Sequence, residues 1–423
     1  MKKVAVIGLG YVGFPLACAI AKTQQYEVVG YDLSAVKVAA IAERQSPVED
    51  AQAQIDIKSV NLTASTDPSI LAGSDIFIIA VPTPIDSEYH PDLSPVIGAT
   101  TTISQYLRSG NLVVIESTIN PGVCEEIVLP ILEKNTGLVG GQDFELSHCP
   151  ERINPGDSKW NVYNIPRNIG SLTLAGNKMA ADFYRSFLQA EVNEMANLKE
   201  AEATKIIENT FRDINIAYVN ELAQSFDHLG IDLNNVIQGA SNKPFAFMKH
   251  LPGCGVGGHC IAVDPYYLIE RAKKAGFDHK FLRNARMVNN SMPRYLVDKF
   301  IKTMNKAGLA LKTSRIGLLG LSYKANISDL RESPALEIKK ILEEEYEVKL
   351  EIYDPFNPGL STKSNLVEMI AACDGLVLAT NHQEFVMAPT SAWQGIKVIA
   401  DGRNCLNKTE LLKSGILYTG IGR

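Results

Sequence analysis

Cys260 stands in Gly255-Val-Gly-Gly-His-Cys-Ile-Ala-Val-Asp264, a thiol preceded by three glycines and followed four residues later by a carboxylate. A thiolate attacks electrophilic carbon, and a nearby acid/base group handles the water that releases the adduct. Glycines 255, 257 and 258 let the chain pass close to a ligand, so Gly257 joins the candidate substrate residues. Two other readings stand beside this one. A lone cysteine is commonly a buried apolar residue. Cys254, His259 and Cys260 would also suit zinc, but no fourth ligand accompanies them, and no metal is expected.

A second constellation opens the chain. Gly8-Leu-Gly10-Tyr11-Val12-Gly13 follows an apolar run from Val4, and Asp32 closes the next such run, Val28–Tyr31. In this pattern the first glycine makes the turn, the second admits a pyrophosphate and the third packs helix on strand. The helix N-terminus faces the phosphates. An acid at position 32 accepts hydrogen bonds from ribose hydroxyls and repels a 2′-phosphate, which favours NAD over NADP. Lys37 stands either near the adenosine or in solvent. With a hydride acceptor present, the thiol gains a purpose: it holds an aldehyde while oxidation continues to the acid.

Further candidates fall just beyond predicted strands, where α/β folds bind ligands. Pro82 and Thr83 begin the loop 83–95 and are assigned to the cofactor. Thr118, in Glu116-Ser-Thr-Ile-Asn-Pro-Gly122, is placed to bond the nicotinamide or a catalytic water, unless the Pro-Gly pair is merely a turn. Glu151, in Pro150-Glu-Arg-Ile-Asn-Pro-Gly156, suits general acid/base work or sugar placement, with Arg152, Ile153 and Asn154 beside it on the substrate. The plain alternative is a surface ion pair between Glu151 and Arg152. Lys205 and Asn209 share a helix face and would stabilise an alkoxide, unless that face is only solvated. Lys324, Arg331 and Arg403 place positive charge at strand ends where a diphosphate would lie.

The elements that must carry these residues are legible in outline. The 423 residues exceed one ordinary core, and 46% hydrophobic with 21% charged residues describes a soluble globular protein. A net charge of −6 without a Lys/Arg run excludes nucleic acid as the default partner. Seven scattered cysteines without a C-x-x-C, no signal segment and no membrane-length apolar run predict a cytoplasmic chain with reduced thiols. Strands are predicted at Val4–Gly8, Val28–Tyr31, Ile76–Val81, Val113–Glu116 and Glu145–Ser147, as in a parallel doubly wound sheet. A long helix over 199–228 is expected as a connector and a dimer surface. Strand-like runs return at Ile316–Leu319, Val348–Tyr353, Leu376–Ala379 and Val398–Ala400, with Asp354 echoing Asp32. The expected fold is therefore α/β, with two Rossmann-like doubly wound domains joined by a central helical domain.

Taken together, these motifs resemble the nucleotide-sugar 6-dehydrogenases of the UDP-glucose/GDP-mannose dehydrogenase family, in order and over nearly the whole length. The resemblance implies an NAD domain (1–196), a central dimerisation domain with the cysteine (197–305) and a UDP-sugar domain (306–423). It implies two oxidations at C6, with a thiohemiacetal and then a thioester on Cys260. Asp264 and Thr118 would manage the hydrolytic water, Lys205 and Asn209 the oxyanions, and Glu151 acid/base work and placement. Lys324 and Arg403 would contact the UDP-sugar and Arg331 the cofactor side. Pro-Glu151-Arg-Ile-Asn-Pro-Gly, Cys260-Ile-Ala-Val-Asp-Pro-Tyr-Tyr and Asn242-Lys-Pro-Phe-Ala-Phe-Met248 resemble the branch acting on UDP-2-acetamido sugars, with Arg212 reading the acetamido group. The alternatives are UDP-glucose as substrate, a single-step 3-hydroxyacid-type dehydrogenase that needs no Cys260, and a non-catalytic NAD-binding protein. A homodimer or higher homo-oligomer is expected.

Overall fold

The structure is a computed structural model that describes residues 1–48, 50–86, 90–153, 159–258 and 260–423. The chain forms two compact units, 1–208 with 266–275, and 209–265 with 276–423.

Unit one is built on an eight-stranded sheet: β1 (Lys2–Ile7), β2 (Tyr26–Tyr31), β3 (Leu62–Ser65), β4 (Ile76–Ile79), β5 (Leu112–Ile115), β6 (Glu145–His148), β7 (Arg167–Ser171) and β8 (Val192–Glu194). Their order is β3-β2-β1-β4-β5-β6-β7-β8. The central strands β4 and β5 are buried at every residue, because helices cover both faces, and this produces their unbroken apolar runs. Phe14, Leu16 and Ile20 of the helix Gly13–Lys22 pack in one apolar layer. Ile103 of Ser94–Ser104 and Leu132 of Leu129–Thr136 pack in the other. The sheet is not wholly parallel, since β7 runs antiparallel to β6.

Unit two carries a parallel five-stranded sheet: β9 (Ile316–Leu319), β10 (Leu350–Tyr353), β11 (Gly375–Leu378), β12 (Val398–Asp401) and β13 (Leu417–Gly420). Its order is β10-β9-β11-β12-β13. The helix Leu198–Leu229 starts in unit one and ends in unit two. Within unit two, Val219 and Ala223 of that helix share a core with Leu296, Val297 and Phe300 of the helix Lys280–Lys306.

The echo between Asp32 and Asp354 extends to individual hydrogen bonds. Gly8 N–H donates to Tyr31 O (2.8 Å) and Leu9 N–H to Asp32 Oδ2 (2.7 Å). In unit two, Gly320 N–H donates to Tyr353 O (2.9 Å) and Leu321 N–H to Asp354 Oδ2 (2.6 Å). Ser322 and Ala325 replace the later glycines, and buried His382 lies 3.2 Å from Asp354 Oδ2. Unit two thus keeps the Rossmann turn without its dinucleotide fingerprint. Among the described residues, no helix is long and apolar enough to cross a membrane.

Candidate active site

At the end of β1, the three fingerprint glycines have different physical causes. Gly8 has φ +91°, and a Cβ there would lie 2.6 Å from Ala80 O. A Cβ on Gly13 would fall 1.9 Å from Gly8 O. The protein itself therefore forbids a side chain at either position. A Cβ on Gly10 would meet nothing within 4 Å, so the protein's own packing does not require glycine there and the space is open to a pyrophosphate. The helix beginning at Gly13 has no side-chain cap, which leaves its first N–H groups directed at this space. Tyr11 is exposed there and Val12 half-buried. The residues fit a dinucleotide.

Asp32 is buried at the end of β2. Burial pulls its pKa upward, but the Ser34 and Leu9 N–H groups and Lys37 outweigh it, so the carboxylate is held below its ordinary range. Lys37 Nζ sits 3.0 Å from Asp32 Oδ2, with its side chain 34% exposed. Thr83 is buried and its carbonyl accepts from Tyr267 Oη at 2.5 Å, while Pro82 is exposed. Thr118 is half-buried, and its hydroxyl makes no hydrogen bond to a described residue. The turn after it is tied to the long helix by Glu202, whose carboxylate accepts from Gly122 N–H and, at 2.9 Å, from Cys124 N–H.

Glu151 is not in a surface ion pair with Arg152. It is buried, and its Oε1 accepts from Arg152 N–H (2.5 Å) and Ile153 N–H (2.7 Å). Its Oε2 accepts from Arg167 Nη2 at 2.5 Å. Arg167 is fully buried and also lies 3.5 Å from Glu116 Oε2, while Tyr184 Oη donates to Glu116 Oε1. Two carboxyl groups thus share one guanidinium away from water. Burial pushes the Glu116 pKa up against the pull of Arg167, which relieves the excess negative charge. The Arg152 side chain instead reaches Glu208 at 2.5 Å, and Ile153 packs on the core. Asn154 lies outside the described residues.

Lys205 and Asn209 lie one turn apart on the helix Leu198–Leu229. Lys205 is 9% exposed, so its stem is packed into the unit, and it forms no salt bridge with a described residue. Asn209 Nδ2 donates to Asp264 Oδ2 at 2.5 Å. Asp264 is buried at the start of the helix Asp264–Lys274, where the helix dipole favours a negative charge. Its N–H bonds to Cys260 O at 2.8 Å, which sets Cys260 and Asp264 one helical turn apart. Unit two therefore brings together Cys260, Asp264 and Asn209.

Cys260 is partly exposed. The glycines before it answer to the protein's own packing, a cause the sequence did not reveal. A Cβ on Gly257 would come within 2.6 Å of Tyr323 Cβ and 2.7 Å of Glu332 O. One on Gly258, at φ +81°, would strike the Tyr323 ring, and one on Gly255 would crowd Pro334. Arg331 carries a two-pronged pair with Asp329, Nη2 to Oδ2 being 2.6 Å. That pair is the first cause of its raised pKa. Arg403 Nε donates to Ala379 O at 2.8 Å, Lys324 is half-buried and Arg212 is exposed. Cys254 is buried, its Sγ is 3.4 Å from Ala379 O, and burial pushes its pKa up. His259, the third residue of the zinc alternative, lies outside the described residues.

Arg167 and Glu202 escaped sequence reasoning. Arg167 opens a short strand whose polar start hides it. Glu202 had one available signal: it lies three residues before Lys205, on the face that also buries Ala201 and Ile206.

Comparison with known proteins places the chain in a family. Residues 2–188, 199–291 and 317–408 match the NAD binding, central and UDP binding domains of the UDP-glucose/GDP-mannose dehydrogenase family. The chain is 37% identical over 392 residues to the UDP-N-acetyl-D-glucosamine 6-dehydrogenase of Pseudomonas aeruginosa, covering 90% of this chain and 91% of that one. The UDP-D-ManNAc dehydrogenase structure from Pyrococcus horikoshii superimposes with a TM-score of 0.93 at 35% identity, covering 100% and 99% of the two chains. An NDP-N-acetyl-D-galactosaminuronic acid dehydrogenase from Methanosarcina mazei gives 0.87 at 30% identity, covering 100% and 95%. The chain belongs to the UDP-glucose/GDP-mannose dehydrogenase family and is an NAD-dependent nucleotide-sugar 6-dehydrogenase.

Proposed function

We propose that this enzyme oxidises the C6 alcohol of a UDP-2-acetamido sugar to the uronic acid through a covalent adduct on Cys260. The observation that carries the proposal is the Cys260–Asp264–Asn209 arrangement, with Asp264 N–H on Cys260 O (2.8 Å) and Asn209 Nδ2 on Asp264 (2.5 Å). Bound NAD supplies the acceptor for each hydride, so two are consumed per sugar.

In the first oxidation the C6 hydroxyl gives its proton to solvent water and C6 loses its hydride, which leaves an aldehyde. The Cys260 thiolate adds to the aldehyde carbon, and the Lys205 ammonium and the second N–H of the Asn209 amide stabilise the resulting oxyanion. A second hydride loss from that carbon gives the thioester. Asp264 takes a proton from water, the hydroxide adds to the thioester carbon, and the C–S bond breaks to release acid and restore the thiolate. Arg331 is assigned to the cofactor side. Glu151, held by Arg167, keeps the loop carrying Arg152 and Ile153 in place against the sugar. Lys324 and Arg403 are assigned to the diphosphate, and Thr118 to the cofactor or hydrolytic water.

The acetamido class rests on the Glu151 and Cys260 loop sequences and on the names of the relatives, which include both gluco and manno sugars at similar identity. We assign 197–305 to homodimer contact, supported by Ile207 (59% exposed), Phe211 (49%) and Tyr218 (57%) along one stripe of the long helix.

The test is product stoichiometry. UDP-acetamido sugars should release two NADH each and react faster than UDP-glucose, and Cys260→Ser should stop short of the acid. One NADH with free aldehyde from the unaltered enzyme would refute the thioester. Full turnover by Cys260→Ser would indicate a single-step dehydrogenase.

A further inference from the structure

Four polar side chains are buried together in unit two, apart from the groups assigned to the chemistry: Asn220 (0% exposed), Asp213 (1%), Asn289 (1%) and Arg286 (4%). Arg286 Nη1 donates to Asp213 Oδ1 at 2.6 Å, and Asn289 Nδ2 to the same oxygen at 2.8 Å. Asn289 Oδ1 in turn accepts from Asn220 Nδ2 at 2.9 Å. These bonds link the helices Leu198–Leu229 and Lys280–Lys306, and Arg286 Nη2 also donates to Asn290 Oδ1 at 2.6 Å. Asn220 does both: its Nδ2 bonds across to Asn289 while its Oδ1 accepts from Gly253 N–H at 2.9 Å, outside the helix pair.

Gly253 begins the segment that ends at Cys260. Three backbone N–H groups fix its course: Gly253 on Asn220, Cys254 on Gly402 O (3.0 Å) and Gly258 on Arg331 O (2.9 Å). Two of these acceptors are main-chain carbonyls, and Asn220 is the side-chain anchor among the three. A network that served only to pack two helices would have no need to reach this backbone. We infer that Asn220 is a positioning residue for Cys260, with Asn289, Asp213 and Arg286 fixing its amide so that Oδ1 faces Gly253. The inference rests on the proposed role of Cys260 as nucleophile. In Asn220→Leu the Gly253 N–H is left buried without an acceptor, and the segment relaxes away from its set course.

The experiment uses the full-length enzyme, with NAD and the UDP-sugar of highest turnover. Asn220→Leu should lower kcat by about 100-fold while both KM values stay within about threefold, the pattern of a misplaced reacting group. The rate of Cys260 alkylation by iodoacetamide, followed by peptide mass across pH, should fall and its midpoint should shift. Asn220→Asp, when protonated, keeps both an acceptor for Gly253 and an O–H donor for Asn289 Oδ1, so it should recover kcat as pH is lowered, a rescue that Asn220→Leu cannot show. If Asn220→Leu does not fold, Asn220→Ser, whose hydroxyl is too short to span to Gly253, takes its place with the same expected loss. A lowered melting temperature with kcat within about twofold of the unaltered enzyme and an unchanged alkylation profile would overturn the inference, leaving the thioester reading intact. If the unaltered enzyme, fully alkylated at Cys260, still makes acid, both fall.

Discussion

Substituting the fingerprint glycines one at a time separates what the fold requires from what the cofactor requires. Gly10 has open space within 4 Å of its missing Cβ, so Gly10→Ala should fold normally, with stability unchanged or raised by about 0.4–1 kcal/mol. The new methyl would occupy the space left for the pyrophosphate. Overpacking of this kind costs roughly 1–3 kcal/mol, or about 5- to 150-fold in NAD affinity. Gly13→Ala is different, because its Cβ would sit 1.9 Å from the Gly8 carbonyl oxygen, which belongs to rigid backbone. That change should destabilise the apoprotein by about 3 kcal/mol or more. Thermal melts with and without NAD distinguish the two. At a concentration 100 times the unaltered Kd, bound NAD adds about 2.7 kcal/mol, and a 100-fold weaker Gly10→Ala would gain only about 0.4 kcal/mol. Calorimetric titration gives the two affinities directly. A Gly10→Ala protein that binds NAD as tightly as the unaltered chain, or that melts like Gly13→Ala, would refute the assignment of the open space to the pyrophosphate.

Three further outcomes are expected. His148 is fully buried, and burial drives its pKa down from 6.5 to about 3, only partly opposed by the Ile115 backbone. The folded state therefore favours the neutral ring: stability is complete above about pH 6.5 and falls by about 1.4 kcal/mol per pH unit below it. Relative to the unaltered protein, His148→Leu should gain roughly 2–3 kcal/mol at pH 4.5 over its value at pH 7 in denaturant titrations, and parallel curves would disprove it. Arg167→Met leaves Glu116 and Glu151 without their shared cation and should cost about 3–5 kcal/mol in urea unfolding, largely relieved at low pH where both carboxyls are neutral. Phe211→Glu places a charge in the exposed stripe of the long helix and should shift sedimentation toward the monomer, and an unchanged oligomer would remove that face from the interface.

Much of the fold was legible because its strands are buried on both faces. β9 was expected at Ile316–Leu319 and is found there, and the helix expected over 199–228 runs Leu198–Leu229. The strands missed were β3, β7, β8 and β13: β3 and β8 are short, mostly unburied edge strands, while β7 and β13 are buried but carry polar or glycine residues that break the apolar run. The antiparallel turn of β7 was missed with them, since Arg167 and Asn168 do not read as a strand start.

The sequence by itself determined the residue types that chemistry requires: a thiol, a carboxylate one turn beyond it, a lysine and asparagine on one helix face, and a glycine turn with its acid. These are local features, and local spacing on known periodicities is enough to read them. Only the tertiary structure decided which partners each residue takes. Glu151 proved to be held by Arg167, sixteen residues away, rather than paired with its neighbour Arg152. The glycines before Cys260 proved to answer to Tyr323 and Pro334 as well as to any ligand. Asp264 gained Asn209 from a helix 55 residues earlier, and the cysteine segment gained Asn220. Burial charges a free-energy cost for every polar group left unpaired, and the sequence cannot show where the chain returns to supply the partner.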